Sequence, residues 1–397
     1  MAEDRLTLKQ AADRAGVSPA TLKRWAETGV IPQVDGKGEW TAAAAAHARI
    51  VARLRERGHS LEHIREASRQ GRLAYGFVEE LFPRDREPRS LDEAAEATGL
   101  EEALIERFWT GMGLPPQALE ENLTDEDVQA LQYVASVLAA GFPLVAFLQL
   151  ARVYGQALAQ IADAEVRLFH LYVHEPLIRE GVPGLEMAEE MSGLAGDLLP
   201  LASPLMDYVH QRFLQHFIAQ DVVGHMEIEL EDDIDLGRVR VTIAFADLAG
   251  YTRFTEEEGD EEALSFVERF IESVNTTLPD DARVVKTIGD EVMVVGNDVG
   301  ALTDWAVGFQ QLYEERPEPR IGLHYGATLY RDGDYFGREV NLASRVVARA
   351  RGGEVLVTDA VVEAVSDASH LQFDEIGQVK LKGFDEPAQL CRAYRKE

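Results

Sequence analysis

The pattern of hydrophobic and polar positions divides the chain into two parts. Residues 7–226 repeat their apolar positions at helical spacing, which predicts an all-α half. Residues 239–396 interleave period-two strands with amphipathic helices, which predicts an α+β domain. In that second part, strands are expected at 239–245, 321–329 and 354–357, a hairpin over 284–295, and helices at 261–274, 301–313 and 338–350, before a closing β-pair.

Residues 7–32 predict two helices joined by a tight turn. Thr7 can cap the first helix, Gly16 can end it, and Ser18 with Pro19 can start the second. Leu22 and Trp25 are expected to pack inward. Helix, turn and helix in this order is the helix-turn-helix pattern.

The same pattern recurs 83 residues later, where residues 91–115 align with residues 8–32 without a gap. Small and turn residues persist, whereas Lys9 and Lys23 become Asp92 and Glu106. We interpret the second copy as a repurposed helix-turn-helix unit that no longer contacts DNA. The matched positions include Ala11 with Ala94, Gly16 with Gly99, Arg24 with Arg107, Trp25 with Phe108, Thr41 with Thr124, and Gly58 with Gly141.

An uncharged stretch at residues 133–151 has the length of a membrane span. Its counterpart in the first copy, residues 50–68, is rich in charge, and Gly141 with Pro143 falls where the first copy makes a turn. Two short buried helices are therefore expected, and no membrane span. Further helix is expected over 153–226, with Pro176, Pro183 and Pro200 as breaks and one amphipathic helix over 201–226.

Composition limits the classes of partner. The 397 residues carry a formal charge of −31, which disfavours general binding to nucleic acid or anionic membranes. Residues 1–72 differ, with 13 Lys and Arg against 9 Asp and Glu, while the remainder has 26 against 61. A single cysteine, Cys391, and an N-terminus without an apolar signal core predict a cytoplasmic protein.

The candidate chemistry begins where the strand 239–245 reaches Asp247. A turn follows, in which Gly250 can adopt angles that a larger residue resists, so that successive amides, including those of Tyr251 and Thr252, can point into one concavity. A carboxylate beside such amides suits a metal–triphosphate, because the metal takes hard oxygen ligands and the amides take phosphate oxygens.

Two further segments carry polar groups at positions suited to phosphoryl transfer. Asp290 lies at the expected hairpin tip after Gly289, where a second carboxylate could help Asp247 hold two divalent ions. Residues 334–345 enter a predicted helix after Gly337. Asn341 and Arg345, four residues apart, share a face of that helix and could hold a ribose oxygen and a pentavalent phosphorus.

These segments, FADLAGYT, KTIGDE and DYFGREVNLASR, resemble the class III nucleotidyl cyclase catalytic domain, over about residues 239–396. The resemblance implies a ferredoxin-like fold. It also implies that Asp247 and Asp290 bind metal, and that Lys286 and Asp334 read the purine base. Lysine with aspartate is the adenine-reading combination in that family.

The same resemblance assigns the transition state to Asn341 and Arg345 and the terminal phosphates to Lys382. A backbone carbonyl near Leu248 would help hold two Mg²⁺ or Mn²⁺ ions. Because the family takes its metal pair from one subunit and the other four residues from the partner, the resemblance implies a homodimer that converts ATP to cyclic AMP and pyrophosphate.

The N-terminal part resembles two regulatory modules. Residues 1–75 resemble the helix-turn-helix module of MerR-type regulators, with a winged segment at 36–40 and with Lys23 and Arg24 towards DNA. Residues from about 44 to 226 resemble the regulatory domain of certain actinobacterial adenylyl cyclases, an all-helical dimer that responds to pH and could hold a lipid-like ligand. The expected domains are 1–75, a helical regulatory and dimerisation domain at 76–226, and a catalytic domain at 227–397.

Three interpretations remain open on the residues alone. The first is a regulated adenylate cyclase, with DNA binding by its first domain as an open addition. The second is a MerR-like DNA-binding regulator whose cyclase-like domain senses nucleotide without turnover. The third is a scaffold that dimerises through both halves, which would bind neither ATP nor DNA.

Overall fold

The computed structural model describes residues 6–31, 40–73, 89–116, 119, 123–181, 184–227, 238–365 and 370–396. The chain forms two compact units, Met1–Leu214 and Gln215–Glu397. The predicted wing at 36–40, except Trp40, and most of the predicted linker at 227–237 lie outside the described residues.

The first unit begins with four helices whose ends follow local capping chemistry. Thr7 accepts a hydrogen bond from the Gln10 amide and caps the first helix, and Gly16 ends it with a φ of 68°. Ser18 caps the second helix, and its Leu22 and Trp25 are buried as predicted. The four helices are Leu8–Ala15, Pro19–Glu27, Ala42–Glu56 and Leu61–Arg69.

The next four helices begin at positions offset by the same 83 residues, and they are Leu91–Thr98, Glu102–Gly111, Asp125–Ala139 and Leu144–Phe169. Gly99, with a φ of 72°, ends its helix as Gly16 does. An isolated antiparallel bridge joins Leu6 to Trp40, and another joins Arg89 to Leu123 at the same offset. The chain thus builds one helical arrangement twice. That either copy is a helix-turn-helix unit stays a prediction.

The uncharged stretch at 133–151 divides into two helices at a turn where Gly141 has a φ of 94°. Nowhere in the described part of the chain is a helix both long and apolar enough to cross a membrane. The predicted division into two helices is confirmed, but the expectation that both are short and buried was wrong, because Leu144–Phe169 has 26 residues and Val145 is 66% exposed. Leu148 and Ala151 are buried within this helix, whereas many of its other apolar side chains are exposed.

A helix of 44 residues, Gly184–Glu227, closes the helical half after a π-helical turn, His170–His174, and a short helix, Glu175–Glu180. The prediction that Pro200 breaks the helix was wrong, since the helix continues through Pro200 and Pro204. An internal proline removes one backbone hydrogen bond, which a long helix can lose without ending. Pro176 does lie in the first turn of Glu175–Glu180, as expected of a helix start.

The strands of the second unit are β1 Arg238–Leu248, β2 Ala282–Ile288, β3 Glu291–Gly296, β4 Pro319–Arg331, β5 Asp334–Phe336, β6 Val355–Thr358, β7 Leu371–Val379 and β8 Ala388–Arg395. Among the described residues they form one eight-stranded sheet in the order β2-β3-β1-β4-β6-β8-β7, with β5 paired to β4. The β2-β3-β1-β4 part is antiparallel throughout and has the strand order of the ferredoxin-like fold that was predicted. The helices are Tyr251–Glu258, Asp260–Thr277, Val299–Leu312, Arg338–Val347 and Asp359–Ala364.

Strand β1 is buried on both faces. Ala244 and Leu248 belong to the core that also holds Phe270 of the helix Asp260–Thr277. Ile243 and Phe245 belong to a second core, on the side of the helix Arg338–Val347. The predicted period-two pattern is present, but both faces of the strand are interior, because the small Ala and Thr side chains between the large ones are also covered.

Candidate active site

Asp247 is next to the last residue of β1 and directly opposite Arg320 at the start of β4. The Arg320 Nε donates to Asp247 Oδ2 over 2.7 Å, and its Nη2 contacts the same oxygen. Arg320 Nη1 also reaches the Ala350 carbonyl oxygen at 3.4 Å. Arg320 was not predicted; the signal that could have found it is its place at the start of the strand that follows the hairpin and the helix Val299–Leu312.

Asp290 occupies the tip of the β2–β3 hairpin, after Gly289 with its φ of 65°. Burial raises the pKa of Asp290 to about 6, and the hydrogen bond with Asp247 and the charge of Asp247 add to that rise. Burial likewise raises the pKa of Glu291 to about 6, with the Asp247 and Asp290 charges adding to it. The structure therefore brings the two predicted metal ligands together and adds Glu291, which the sequence analysis did not single out.

The donor set at this place fits a hard divalent cation. Carboxylate oxygens so crowded that the charge of Asp247 raises the pKa of Asp290 are stabilised by a nearby positive charge, and Mg²⁺ or Mn²⁺ prefers such oxygens. Among the described residues, no group of three or more His, Cys, Asp and Glu side chains could hold a metal ion. Two carboxylates would therefore have to be supplemented by backbone oxygen, such as that of Leu248, and by substrate oxygen.

The turn after β1 has the conformation that was predicted for it. Gly250 has a φ of 85° and precedes the helix Tyr251–Glu258, so the amides of Tyr251 and Thr252 lie in its first turn. The first amides of a helix have no partner within the helix and can bind anions. These amides lie close to Asp247 because only three residues separate Asp247 from Tyr251.

Lys286 on β2 and Asp334 on β5 are in direct contact, although 48 residues separate them. The Lys286 Nζ contacts Asp334 Oδ2, while Asp334 Oδ1 accepts a hydrogen bond of 2.8 Å from the Tyr335 amide. Both Asp334 oxygens thus have a partner on the protein. The two predicted base-reading residues form one pair.

Asn341, Arg345 and Lys382 line one open cleft of about 740 Å³. Asn341 and Arg345 lie on the helix Arg338–Val347, as the four-residue spacing predicted, and Lys382 follows β7. Gly337, which precedes the predicted helix, also lines the cleft. The remaining lining residues were not predicted, and they are Arg338, Gly383, Phe384, Asp385 and Glu386.

The contacts join the predicted residues in three groups: the carboxylates at Asp247, the pair Lys286–Asp334, and the cleft beside Arg345. Neither Asp247 nor Asp290 is among the residues that line the cleft. The positive charge of Arg345 opposes the rise in the pKa of Glu291, so the cleft and the carboxylates are electrostatic neighbours.

A buried network supports the helix that carries Asn341 and Arg345. His324 of β4 is 2.6 Å from Glu339 Oε2 through Nε2 and 2.8 Å from Thr358 Oγ1 through Nδ1. Burial lowers the pKa of His324, and the hydrogen bond with Glu339 offsets part of that effect. The network ties the helix to β4 and β6, and the local patterns of the sequence did not predict it.

Comparisons with known proteins match both halves of the chain. The model of the adenylate cyclase regulatory domain matches residues 32–218, and that of the adenylate and guanylate cyclase catalytic domain matches residues 238–392. An adenylate cyclase of Streptomyces coelicolor is 33% identical over 276 residues, which are 68% of this chain and 70% of that protein. A pH-sensitive adenylate cyclase of Mycobacterium tuberculosis is 29% identical over 363 residues, 89% of each chain.

Among solved structures, the adenylyl cyclase CyaB from P. aeruginosa is 23% identical. The match covers 40% of this chain and 96% of that one, with a TM-score of 0.36.

Proposed function

Because this chain belongs to the class III adenylate cyclases and carries both their regulatory and their catalytic domain, we propose that it forms cyclic AMP and pyrophosphate from ATP in a homodimer with two shared sites. In each site, one protomer supplies Asp247 and Asp290. Its partner supplies the base-reading pair and the basic cleft. We assign the control of activity to residues 1–75 and 76–226, and catalysis to residues 227–397.

One observation carries this proposal. The cleft that contains Asn341, Arg345 and Lys382 is not lined by Asp247 or Asp290. A triphosphate in that cleft needs both sets of residues, since three phosphates concentrate negative charge at the reacting centre. A two-fold dimer places the carboxylates of one copy against the cleft of the other without any further chain.

Asp247, the Leu248 carbonyl and Asp290 would hold two Mg²⁺ or Mn²⁺ ions. When bound, divalent ions lower the pKa of the ribose 3′-hydroxyl and neutralise triphosphate charge. Arg320 holds Asp247 in place beside Asp290 through its hydrogen bonds. The amides of Gly250, Tyr251 and Thr252 donate to phosphate oxygens at the neighbouring helix start.

Lys286 and Asp334 recognise the base. Lys286 donates a hydrogen bond to an adenine ring nitrogen, and Asp334 accepts one from the exocyclic amine. Guanine carries an oxygen in place of that amine and would face the Asp334 carboxylate with an acceptor, which is unfavourable. The contact between the two side chains keeps both close to their working positions before the base arrives.

The helix Arg338–Val347 stabilises the transition state. Asn341 orients the ribose, and Arg345 neutralises the charge that grows on the α-phosphate during in-line attack by the 3′-oxygen. Lys382, on the other wall of the cleft, binds the phosphates that leave as pyrophosphate.

Mixing two inactive variants tests the shared site. Asp247→Ala and Asn341→Ala chains are each expected to be inactive, whereas a mixture that exchanges subunits contains one intact site per heterodimer. Formation of cyclic AMP should return to about a quarter of the wild-type rate after full exchange, since half of the dimers are mixed and each has one of two sites. A mixture of Asp247→Ala with Asp290→Ala, which both damage the same half, is the matched control. If neither mixture formed cyclic AMP, the shared site would be contradicted.

We further propose that acidity or a lipid-like ligand acts through the helical half. A relative that aligns with 89% of this chain is named for its pH sensitivity, and apolar side chains such as Val145 and Tyr172 are exposed here. The test compares the full chain with a 227–397 fragment from about pH 5.5 to about pH 8, with and without a fatty acid. A fragment that is active at every pH beside a full chain that responds to pH or to the fatty acid supports control by these helices. Parallel profiles would contradict it.

A MerR-like DNA contact by residues 1–75 is a second proposal. It is favoured by Lys23 and Arg24, which are both exposed on the helix Pro19–Glu27. Binding of a short duplex that weakens steeply with salt, and that Lys23→Glu abolishes, would support it. Binding that Lys23→Glu leaves unchanged would contradict it.

A further inference from the structure

The last turns of the long helix, from Gln215 onwards, belong to the catalytic unit. Two of their side chains contact residues at the start of β2. Gln220 Nε2 donates to the Asp280 carbonyl oxygen, and the Phe217 ring lies with its centroid 5.2 Å from Arg283 Cζ. The end of this helix is therefore attached to the strand that carries Lys286.

Arg283 has a second aromatic neighbour. Its Cζ lies 5.7 Å from the centroid of the Tyr335 ring, and its Nη2 donates to Tyr335 Oη over 3.0 Å. Tyr335 is only 6% exposed and packs in the core with Ile243 and Phe245. The guanidinium therefore links a helix residue, Phe217, to a core residue of β5.

Tyr335 is adjacent to the base-reading pair in both sequence and space. Its amide donates to Asp334 Oδ1 at 2.8 Å, and the other oxygen of that carboxylate contacts Lys286. The backbone of Tyr335 thus orients the carboxylate that faces the base. A displacement of Tyr335 as a whole would move this amide and, with it, the carboxylate oxygen that the amide holds.

An irregularity in β2 places the side chains of Arg283 and Lys286 on the same face of the sheet. The pairing of β2 with β3 shifts register between Val284 and Lys286. In a regular strand, residues three apart point to opposite faces, and an extra residue corrects this. Arg283 therefore reaches Tyr335 while Lys286 reaches the neighbouring Asp334.

We propose that Arg283 and Tyr335 are positioning residues for the base-reading pair Lys286–Asp334, and that through Arg283 the end of the helix Gly184–Glu227 sets the affinity and selectivity of the catalytic domain for its base. This inference rests on the proposed role of Lys286 and Asp334. It gives the helix a route to substrate recognition that does not pass through Asp247 or Arg345.

The test uses the full chain and separates base binding from chemistry. Arg283→Gln removes the stacked charge and the hydrogen bond to Tyr335, so KM for ATP should rise about 3–10-fold, the equivalent of one hydrogen bond, with kcat within about twofold. The Kd of a non-cyclisable ATP analogue should weaken by the same factor, and the preference for ATP over GTP should fall. Tyr335→Phe, which keeps the ring and the fold, should show a smaller shift of the same kind.

Arg240→Gln is the matched control, because Arg240 also stacks on a tyrosine, Tyr325, at 6.0 Å, without touching the base-reading pair. It should leave KM, Kd and selectivity unchanged. If Arg283→Gln and Tyr335→Phe behave like Arg240→Gln, or lower kcat alone, the proposal is wrong.

The helix is tested by a double-mutant cycle. Phe217→Ala should raise KM by itself, and Phe217→Ala with Arg283→Gln should be no worse than Arg283→Gln alone, because both act through one guanidinium. Additive effects would overturn the link to the helix.

Failure of the base-reading assignment can be recognised separately. In that case Lys286→Glu with Asp334→Cys leaves the ATP preference intact. If the double variant changes the preference while the Arg283 and Tyr335 variants do not, the inference alone fails.

Discussion

Arg320 donates from both Nε and Nη2 to the same carboxylate oxygen of Asp247. The pair is formed between directly opposed residues of β1 and β4, and Asp247 is only 9% exposed. The Arg320 guanidinium is thus the counter-charge for the Asp247 carboxylate. That carboxylate lies beside Asp290 and Glu291, both of which have raised pKa values. A metal ion at this place would share that counter-charge role with Arg320.

The stability of an Arg320→Gln variant should therefore depend on metal. Without a divalent ion, loss of the partly buried guanidinium leaves crowded carboxylates and should cost about 2 kcal/mol, or roughly 5 °C in the Tm of this unit. Adding Mn²⁺ should raise the Tm of Arg320→Gln by more than it raises the Tm of the wild type. Thermal melting with chelator and with Mn²⁺ measures this. Arg269→Gln, which breaks the exposed pair with Glu315, is the control, and an Arg320→Gln deficit that Mn²⁺ leaves unchanged would contradict the expectation.

Nucleotide preference should follow the pair Lys286–Asp334. Lys286→Glu with Asp334→Cys removes the donor to the adenine ring and the acceptor of its amine, so ATP preference over GTP should fall at least about tenfold. Competition between the two nucleotides at equal concentration measures the ratio. Lys380→Glu, a lysine near the cleft that is outside the pair, controls for the change in charge. An unchanged ratio in the double variant would remove the base-reading role.

Arg345 and Arg338 line the same cleft and should differ sharply in effect. Arg345→Ala should lower kcat by about 100-fold or more, because it removes the charge that we propose stabilises the transition state. Arg338 has a largely exposed side chain that lies 3.5 Å from Glu339, so Arg338→Ala should cost less than about tenfold. Steady-state rates at saturating ATP measure both. Similar losses for the two variants would argue for a general charge effect instead.

The stability of the helical half should depend on His47. Burial lowers the pKa of this imidazole to about 4, with a backbone hydrogen bond to Val30 offsetting part of the effect, and its Nε2 is 3.1 Å from Ser68 Oγ. The unfolded chain takes up this proton near pH 6.5 and the folded chain only near pH 4. Above about pH 6.5 His47 is neutral in both states and does not affect stability. As the pH falls towards 4, protonation favours the unfolded chain, and about 3 kcal/mol of the free energy of unfolding is lost.

Chemical denaturation at pH 7 and pH 5 measures this loss. In His47→Gln the difference between the two pH values should shrink, whereas the exposed His63→Gln should keep it. A His47→Gln chain with the full acid sensitivity of the wild type would exclude His47 as its source.

The parts of the site that the sequence predicted are those set by local chain geometry. Asp247 follows a strand, Asp290 follows a turn glycine, and Asn341 and Arg345 share a helix face, so spacing along the chain was enough to place them. The pairing of Lys286 with Asp334, 48 residues apart, was expected only from the family resemblance. The parts that were not predicted at all depend on pairing across long stretches. Arg320 meets Asp247 over 73 residues, because β4 joins β1 in the sheet.

Two predictions were wrong for the same reason: tertiary structure overrode a local sequence preference. Pro200 was expected to end a helix, but the helix Gly184–Glu227 continues through it. The uncharged stretch 133–151 was expected to form short buried helices, but Val145 within it lies on an exposed side of its helix. Local preference is a weak guide where the neighbours of a residue come from distant segments.

Strand β1, buried on both faces from Val241 to Leu248, has a consequence for how the catalytic rate can be altered. Displacing Asp247 would require two hydrophobic cores to repack together, and close-packed interiors resist even small shifts. The helix Arg338–Val347 is held in a similar way, because its buried side chains belong to two cores as well. The side chains of Lys286 and Asp334 are more exposed. A displacement that changes turnover therefore costs the least free energy at this pair and the most at Asp247.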